Sequence, residues 1–358
     1  MKRVFVSSMI LIMISATLNM LAVFSPEFSQ WYAEHIFTKW TTMVSRLFSF
    51  TCNSVFEWII VIGLILLIYN LLKQRRRIRQ KQMTVRDCVC QDAGVVLFIL
   101  AVAYLIFMIS FGINYHRTPF YESEQIKRTE YGVEDLIHTC EYLTDQVNNE
   151  AKRMRLDTWG SATVNEANVE NRATETFARA SDLYPSLSGY VPKPKTFKLY
   201  QGMSSQLLMG ISIPFTMEAH YNDDMPSFQI PDTICHEFAH IKGFMREEEA
   251  GFIAYLVCIS SPYSDFRYSG YLSAYTYCMN DLYKCDRINY LRIRDKLCKT
   301  ASDDLIYNTK YWNEHEGWFS RFSDRMNDLY LKWNHQEQGV LSYRLMTDLV
   351  VSYYLQTQ

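Results

Sequence analysis

The stretch Asp232-Thr233-Ile234-Cys235-His236-Glu237-Phe238-Ala239-His240-Ile241-Lys242-Gly243-Phe244-Met245-Arg246-Glu247-Glu248-Glu249-Ala250 contains His-Glu-x-x-His. Residues four apart share one face of a helix, so His236 and His240 can reach a single metal ion. Two neutral imidazoles suit zinc. Glu237 lies beside them, placed to take a proton from water on the ion. The spacing predicts a short helix: Asp232 or Thr233 to cap it, Pro231 barring an upstream extension, and Gly243 to stop it.

Catalytic zinc keeps three protein ligands and one open position. The acidic run Glu247-Glu248-Glu249 follows His240 closely, and an apolar helical pattern resumes at Ala250, Ile253, Ala254 and Val257. Glu247 stands one turn before Ala250 and two before Ala254, on the same face. Small residues there allow a close approach to the metal helix. Glu247 is therefore the expected third ligand, with Glu249 in reserve.

Glu247-Glu248-Glu249-Ala250-Gly251 after His-Glu-x-x-His resembles the glutamate zincins, in which a glutamate of the second helix is the third zinc ligand. The wider pattern resembles an uncharacterised bacterial family whose members carry three N-terminal membrane helices and a zincin-like domain of unknown function. That pattern is Ile213-Pro214-Phe215-Thr216-x-Glu218-Ala219, then Cys235-His236-Glu237-x-Ala239-His240-x-x-Gly243-Phe244-x-Arg246-Glu247, then Tyr268-Ser269-Gly270-Tyr271. The resemblance covers nearly the whole chain. It implies zinc at His236, His240 and Glu247 with Glu237 as base, and it implies no substrate. Gly251 stands where Asn or Asp is common in glutamate zincins, so any bond from that position to a ligand histidine is missing.

The chain has 358 residues, enough for a membrane region and one soluble domain, and a net charge of −2. That charge supplies no field for nucleic acid. The mean hydropathy is near neutral but hides a division. Residues 1–113 are mostly apolar and form the expected membrane anchor; residues 114–358 read as a globular domain. Within the anchor, residues 4–24, 55–72 and 93–113 each fit a bilayer. The first run is long and lacks a small-x-small site before Pro26, so it reads as an uncleaved anchor, not a signal peptide.

Lys73, Arg75, Arg76, Arg77, Arg79, Lys81 and Arg86 crowd the 73–92 loop, which places that loop in the cytoplasm. Lys2 and Arg3 put the N-terminus on the same side. The domain after Asn114 is then extracytoplasmic. In the 25–54 loop, Trp31, Tyr32, Ile36, Phe37, Trp40, Val44, Leu47 and Phe48 recur at helical spacing. They suit either an interfacial helix or packing on the soluble domain.

In the soluble domain, helical patterns run over residues 133–155 and 164–183, with further helices expected near 273–286, 317–333 and 340–355. Phe197–Tyr200 and Gly210–Ile213 read as strands of a small sheet. The fold class is α+β: a mostly helical, zincin-like metallopeptidase domain with a small sheet behind three transmembrane helices. In zincins a strand edges the cleft, a role the resemblance gives to residues 210–220, so Glu218 and His220 are candidates to face substrate. Tyr268 and Tyr271 are candidate donors to an oxyanion.

Six of the nine cysteines lie in the domain expected outside: Cys140, Cys235, Cys258, Cys278, Cys285 and Cys298. If one helix holds Cys278 and Cys285, their Cα atoms are about 10 Å apart and cannot be bridged. Pairing with Cys298 or Cys140 stays open.

These readings converge on a membrane-anchored zinc metallopeptidase that hydrolyses peptide bonds of an envelope or extracellular substrate. The alternative is a metal-binding, non-cleaving interaction or sensor protein of the envelope. A transport role is disfavoured because the apolar spans carry almost no ionisable groups. The sequence leaves oligomeric state open.

Overall fold

A computed structural model describes residues 2–158, 160–165, 168–198, 200–317, 320, 325 and 343–358. The chain is mostly helical with two small sheets. Its contacts divide it into two units, residues 1–117 with 213–218, and residues 118–212 with 219–358. The first unit thus runs past residue 113 and takes in a short segment from far along the chain.

Three helices of the first unit are long and apolar enough to cross a membrane: α1 (Lys2–Phe24), α4 (Val55–Arg79) and α5 (Val85–Ser110). Ser8, Ser15 and Ala22, spaced by seven along α1, are its buried residues. Small side chains at that spacing let α1 lie close to α5, the helix it packs against most. Most of the basic residues expected in a loop instead prolong α4 to Arg79, leaving only Gln80–Thr84 between α4 and α5. Asp92 lies inside α5, where its Oδ1 accepts from the side-chain amides of Asn70 (3.1 Å) and Gln74 (2.7 Å). Helix α5 begins with a capping box in which Thr84 and Asp87 satisfy each other's backbone.

The 25–54 connection folds as α2 (Pro26–Tyr32), a π-helical stretch over Ala33–Phe37, and α3 (Thr38–Phe48). It is pinned to the end of α5: Tyr32 donates to the Ile109 carbonyl at 2.6 Å, and Trp40 Nε1 donates to Ser110 Oγ at 3.0 Å. The 213–218 segment is held in the same unit. Ser45 Oγ donates to the Met217 carbonyl, and the Glu218 carboxylate accepts from the backbone amides of Val55 (3.0 Å) and Phe56 (3.1 Å). Those amides are among the four that a helix start leaves unpaired, and a carboxylate there also complements the helix dipole.

The second unit contains α6 (Phe120–Ser123), α7 (Val133–Ala151), α8 (Val169–Leu183), α9 (Tyr200–Ser204), α10 (Ile230–Ile241), α11 (Glu247–Ile259), α12 (Ser264–Cys285), α13 (Arg287–Arg294), α14 (Lys299–His315) and α15 (Tyr343–Thr357). Strands β1 (Arg155–Leu156) and β2 (Ala162–Thr163) form an antiparallel pair. Strands β3 (Lys195–Thr196), β4 (Gly210–Ile213) and β5 (Glu218–Tyr221) form a sheet in the order β3-β5-β4, so β4 is an edge. Lys195 and Thr196 pair in parallel with His220 and Tyr221. The strand expected at Phe197–Tyr200 is instead β3, two residues earlier, and Tyr200 opens a helix. The helix expected at 317–333 lies largely outside the described residues.

The core is the packing of α10, α11 and α12, with α7, α8 and α15 around them. Helix α11 is buried along both faces from Ala250 to Cys258, which explains its continuous apolar run. Gly270 on α12 allows the close approach of α11: a Cβ there would lie 2.5 Å from Cys258 Cβ. Helix α12 begins nine residues before the expected 273, because Tyr268 and Tyr271 belong to its buried face. It holds both Cys278 and Cys285, and all nine cysteines carry free thiols.

Candidate metal centre

Helix α10 starts at Ile230, not at the expected caps Asp232 or Thr233. Pro231 sits in its first turn, where no amide proton is needed and the fixed φ suits a helix. The helix ends as its sequence predicts. Gly243 takes φ +85°, and the Phe244 amide returns to the Ala239 carbonyl at 3.1 Å. That reversal starts α11 at Glu247, facing α10.

Three side chains meet at this corner. His236 Nε2 and His240 Nε2 face each other at 3.1 Å. Glu247 Oε2 lies 3.2 Å from His236 Nε2, and Glu247 Oε1 lies 3.7 Å from His240 Nε2. Among the described residues this is the one group of three such donors close enough to hold an ion. A tetrahedral zinc with bonds of about 2.0–2.1 Å requires ligand atoms about 3.3 Å apart. The observed separations bracket that value, so the donor set fits zinc in both chemistry and spacing.

The tautomer of His240 is fixed by its surroundings. Its Nδ1 lies 2.8 Å from the Phe244 carbonyl, which can only accept, so Nδ1 carries the proton and Nε2 presents its lone pair to the cluster. Burial pulls His240 down to about 4, although Glu247 opposes it. Burial also works on His236 in that direction, but the bond and charge of Glu247 outweigh it and lift His236 to about 9. For Glu247 burial would raise the carboxyl; the two imidazoles overcome this and hold it at about 2. Imidazole and carboxylate thus stabilise one another's charged forms at this corner.

Glu237 is 6 % exposed, and burial raises it to about 7 while His236 and Ser212 oppose the rise. Ser212 Oγ lies 2.8 Å from Glu237 Oε2 and 2.9 Å from the Glu237 carbonyl. Gly210, also on β4, lets the strand come this near: a Cβ there would lie 2.6 Å from Glu237 Oε1 and 2.8 Å from its Cγ.

The centre opens into a cavity of about 340 Å³ lined by His236, Glu237 and Glu247 together with residues of β4, α12 and α14. Every lining residue belongs to the second unit. Glu249 points away, accepting from the Phe120 amide at 3.2 Å and pairing with Arg246 at 3.3 Å. The two tyrosines considered for oxyanion binding do not line the cavity. Tyr268 is fully buried with its hydroxyl on Asp304 Oδ2 at 2.5 Å, and Tyr271 packs edge-on against Tyr142 and Tyr255. Nor do Glu218, whose carboxylate caps α4, and His220, which is buried and stacked on Phe197.

Residues that motif reading passed over stand in those places. Asp232, Thr233, Ser273, Tyr277 and Asn308 line the cavity, and Ser212 donates to the Glu237 carboxylate. Asp232 was legible in part, since it lies one turn before His236 on the same face. The others come from elements whose approach no local pattern encodes.

The architecture defines a membrane-associated, mostly helical protein with a His-His-Glu corner in its second unit. The chain belongs to the family described as proteins of unknown function, DUF3810, whose sequence profile matches residues 32–351. No curated protein matches the chain. No solved structure matches it either.

Proposed function

We propose that this protein is a membrane-anchored zinc metallopeptidase of the glutamate-zincin type. The observation that carries the reading is the convergence of His236 Nε2, His240 Nε2 and the Glu247 carboxylate at tetrahedral spacing, with Glu237 lining the same cavity. The two histidines and Glu247 would hold the ion. Bound there, zinc supplies Lewis acidity and brings water to a pKa of about 7.

The chain's own groups do the rest. Glu237, raised to about 7, takes the proton of the attacking water near neutral pH and returns it to the leaving amine. Ser212 donates to one oxygen of that carboxylate, which fixes its rotamer and leaves the other oxygen for proton transfer. The edge position of β4 supports binding of an extended peptide by backbone pairing beside Glu237. The basic residues from Lys73 to Arg86 support a cytoplasmic α4–α5 end and, with it, a catalytic unit outside the cytoplasm. A membrane-impermeant maleimide should then label exposed Cys52 on intact cells, and exposed Cys90 only after permeabilisation. The reverse pattern would invert the orientation.

The test of the activity uses the full chain in detergent. We expect about one zinc per chain, lost on His236→Ala and on Glu247→Ala. A peptide library should be cut by the parent protein and left uncut by Glu237→Gln, which keeps its zinc. Absence of zinc from the folded protein would end the reading. Zinc without turnover in the parent would favour a non-cleaving binding protein of the envelope.

A further inference from the structure

Helix α3 in the 25–54 connection is built inside out for a helix in water. It buries Thr41 and Ser45 beside Val44. Ser45 Oγ is spent on the Met217 carbonyl at 3.0 Å, which fixes the inward face. Another face carries Met43, Leu47 and, just past the helix end, Phe50. These residues are spaced i, i+4, i+7 and form one stripe. They are 59 %, 64 % and 69 % exposed. A helix that met water here would turn its apolar stripe to the core.

The surroundings of the stripe indicate what covers it. The Phe50 ring lies 6.2 Å from that of Trp58 on α4. Trp58, Ile59 and Ile62 are exposed along α4, one of the three helices long and apolar enough to cross a membrane. The stripe therefore runs on into the surface that α4 turns toward lipid. The depth of α3 is set as well. Tyr32 and Trp40 donate to Ile109 and Ser110, the last two residues of α5. Helix α3 thus stands where the spans end. Lys39 and Arg46, both exposed, lie one turn to either side of Met43 and border one edge of the stripe. An apolar stripe edged by cations at that depth suits acyl chains below and phosphates beside them.

We propose that α3 is an interfacial membrane helix whose Met43, Leu47 and Phe50 lie among phospholipid acyl chains, in the leaflet at the C-terminal end of α5. The outward face binds lipid and the inward face holds the 213–218 segment. The two roles that the spacing allowed are divided between two faces of one helix.

The experiment uses the full chain in phosphatidylcholine–phosphatidylglycerol vesicles. The photoreactive residue p-benzoylphenylalanine replaces Met43, Leu47 or, on the exposed polar side of the same helix, Thr38. After irradiation, mass spectrometry should find phospholipid adducts at Met43 and Leu47 at least about tenfold above those at Thr38. Cross-links from Met43 or Leu47 to a second copy of the chain, in place of lipid, would overturn the proposal. So would equal lipid adducts at all three positions. A second measurement avoids the bulky reagent. N-ethylmaleimide reacts with the thiolate, which forms in water and not among acyl chains. It should modify Thr38→Cys at least about tenfold faster than Leu47→Cys, read by peptide mass so that the native cysteines do not interfere. Equal rates would contradict a lipid-covered stripe. Neither readout involves catalysis, so the proposal is decided apart from the metallopeptidase reading.

Discussion

Ser212 Oγ lies 2.8 Å from Glu237 Oε2 and 2.9 Å from the carbonyl of the same residue, so one hydroxyl proton faces both acceptors of the proposed base. Removing that hydroxyl leaves the carboxylate free to rotate and does not touch the ligands. Ser212→Ala should lower kcat by about 10- to 100-fold with the zinc content unchanged. Steady-state kinetics beside metal analysis would check it; loss of zinc together with activity would assign Ser212 a merely structural part.

Gly210 presses on the other side of the same carboxylate. A methyl group at this position would overlap Glu237 Oε1 at 2.6 Å, Glu237 Cγ at 2.8 Å and Thr233 Cγ2 at 2.8 Å. Either β4 or the Glu237 side chain must then shift, and displacements near 1 Å cost about a hundredfold when they fall on a reacting group. Gly210→Ala should therefore depress turnover to that extent while His236, His240 and Glu247 retain zinc. An active Gly210→Ala protein would show that the strand yields freely.

Glu247 and Glu249 begin one helix yet do different work, and substitution should separate them. Glu247→Ala removes a proposed ligand and should abolish zinc binding. Glu249→Ala strands the buried Phe120 amide and releases Arg246, at a cost of about 1–3 kcal/mol in stability, with zinc retained. Metal analysis and thermal unfolding of the two variants would distinguish the roles, and zinc loss from Glu249→Ala would reverse the assignment.

Asp304 sets a pH dependence away from the proposed metal corner. It is fully buried, accepts from the Ala162 amide and from Tyr268, and burial raises its carboxyl to about 6. Because the folded value lies above the unfolded value of about 3.9, the folded chain binds the extra proton. The stability this group contributes is present in full below about pH 4 and is lost as pH rises through about 6. Asp304→Asn keeps an acceptor for Ala162 and cannot titrate. The apparent melting temperature of the parent relative to this variant should thus fall between about pH 4 and pH 6 and level off above. A constant difference across that range would contradict the assignment.

Local pattern carried a large part of this protein. The i, i+4 histidines with Glu237 between them, the left-handed stop at Gly243 and the small-residue face behind Glu247 are all properties of a few consecutive residues, and helix geometry converts them directly into direction. Apolar length likewise marked the three spans, although the run of arginines that suggested a loop is helical through Arg79, because backbone propagation continues into water where side-chain polarity changes.

Contacts between distant segments lay beyond that reach. Glu218 looks like a cleft residue beside a strand, and it caps α4 because residues 162 and 163 positions away leave their amides open. Tyr268 looks like a donor for an intermediate, and it is consumed by Asp304, 36 residues on. Ser212, held to Glu237 across 25 residues, has no sequence signature at all. The physical reason is the same in each case. Periodicity specifies which way a side chain leaves its own element, whereas the partner it meets depends on how the elements pack, and packing is settled by the whole set of buried surfaces together.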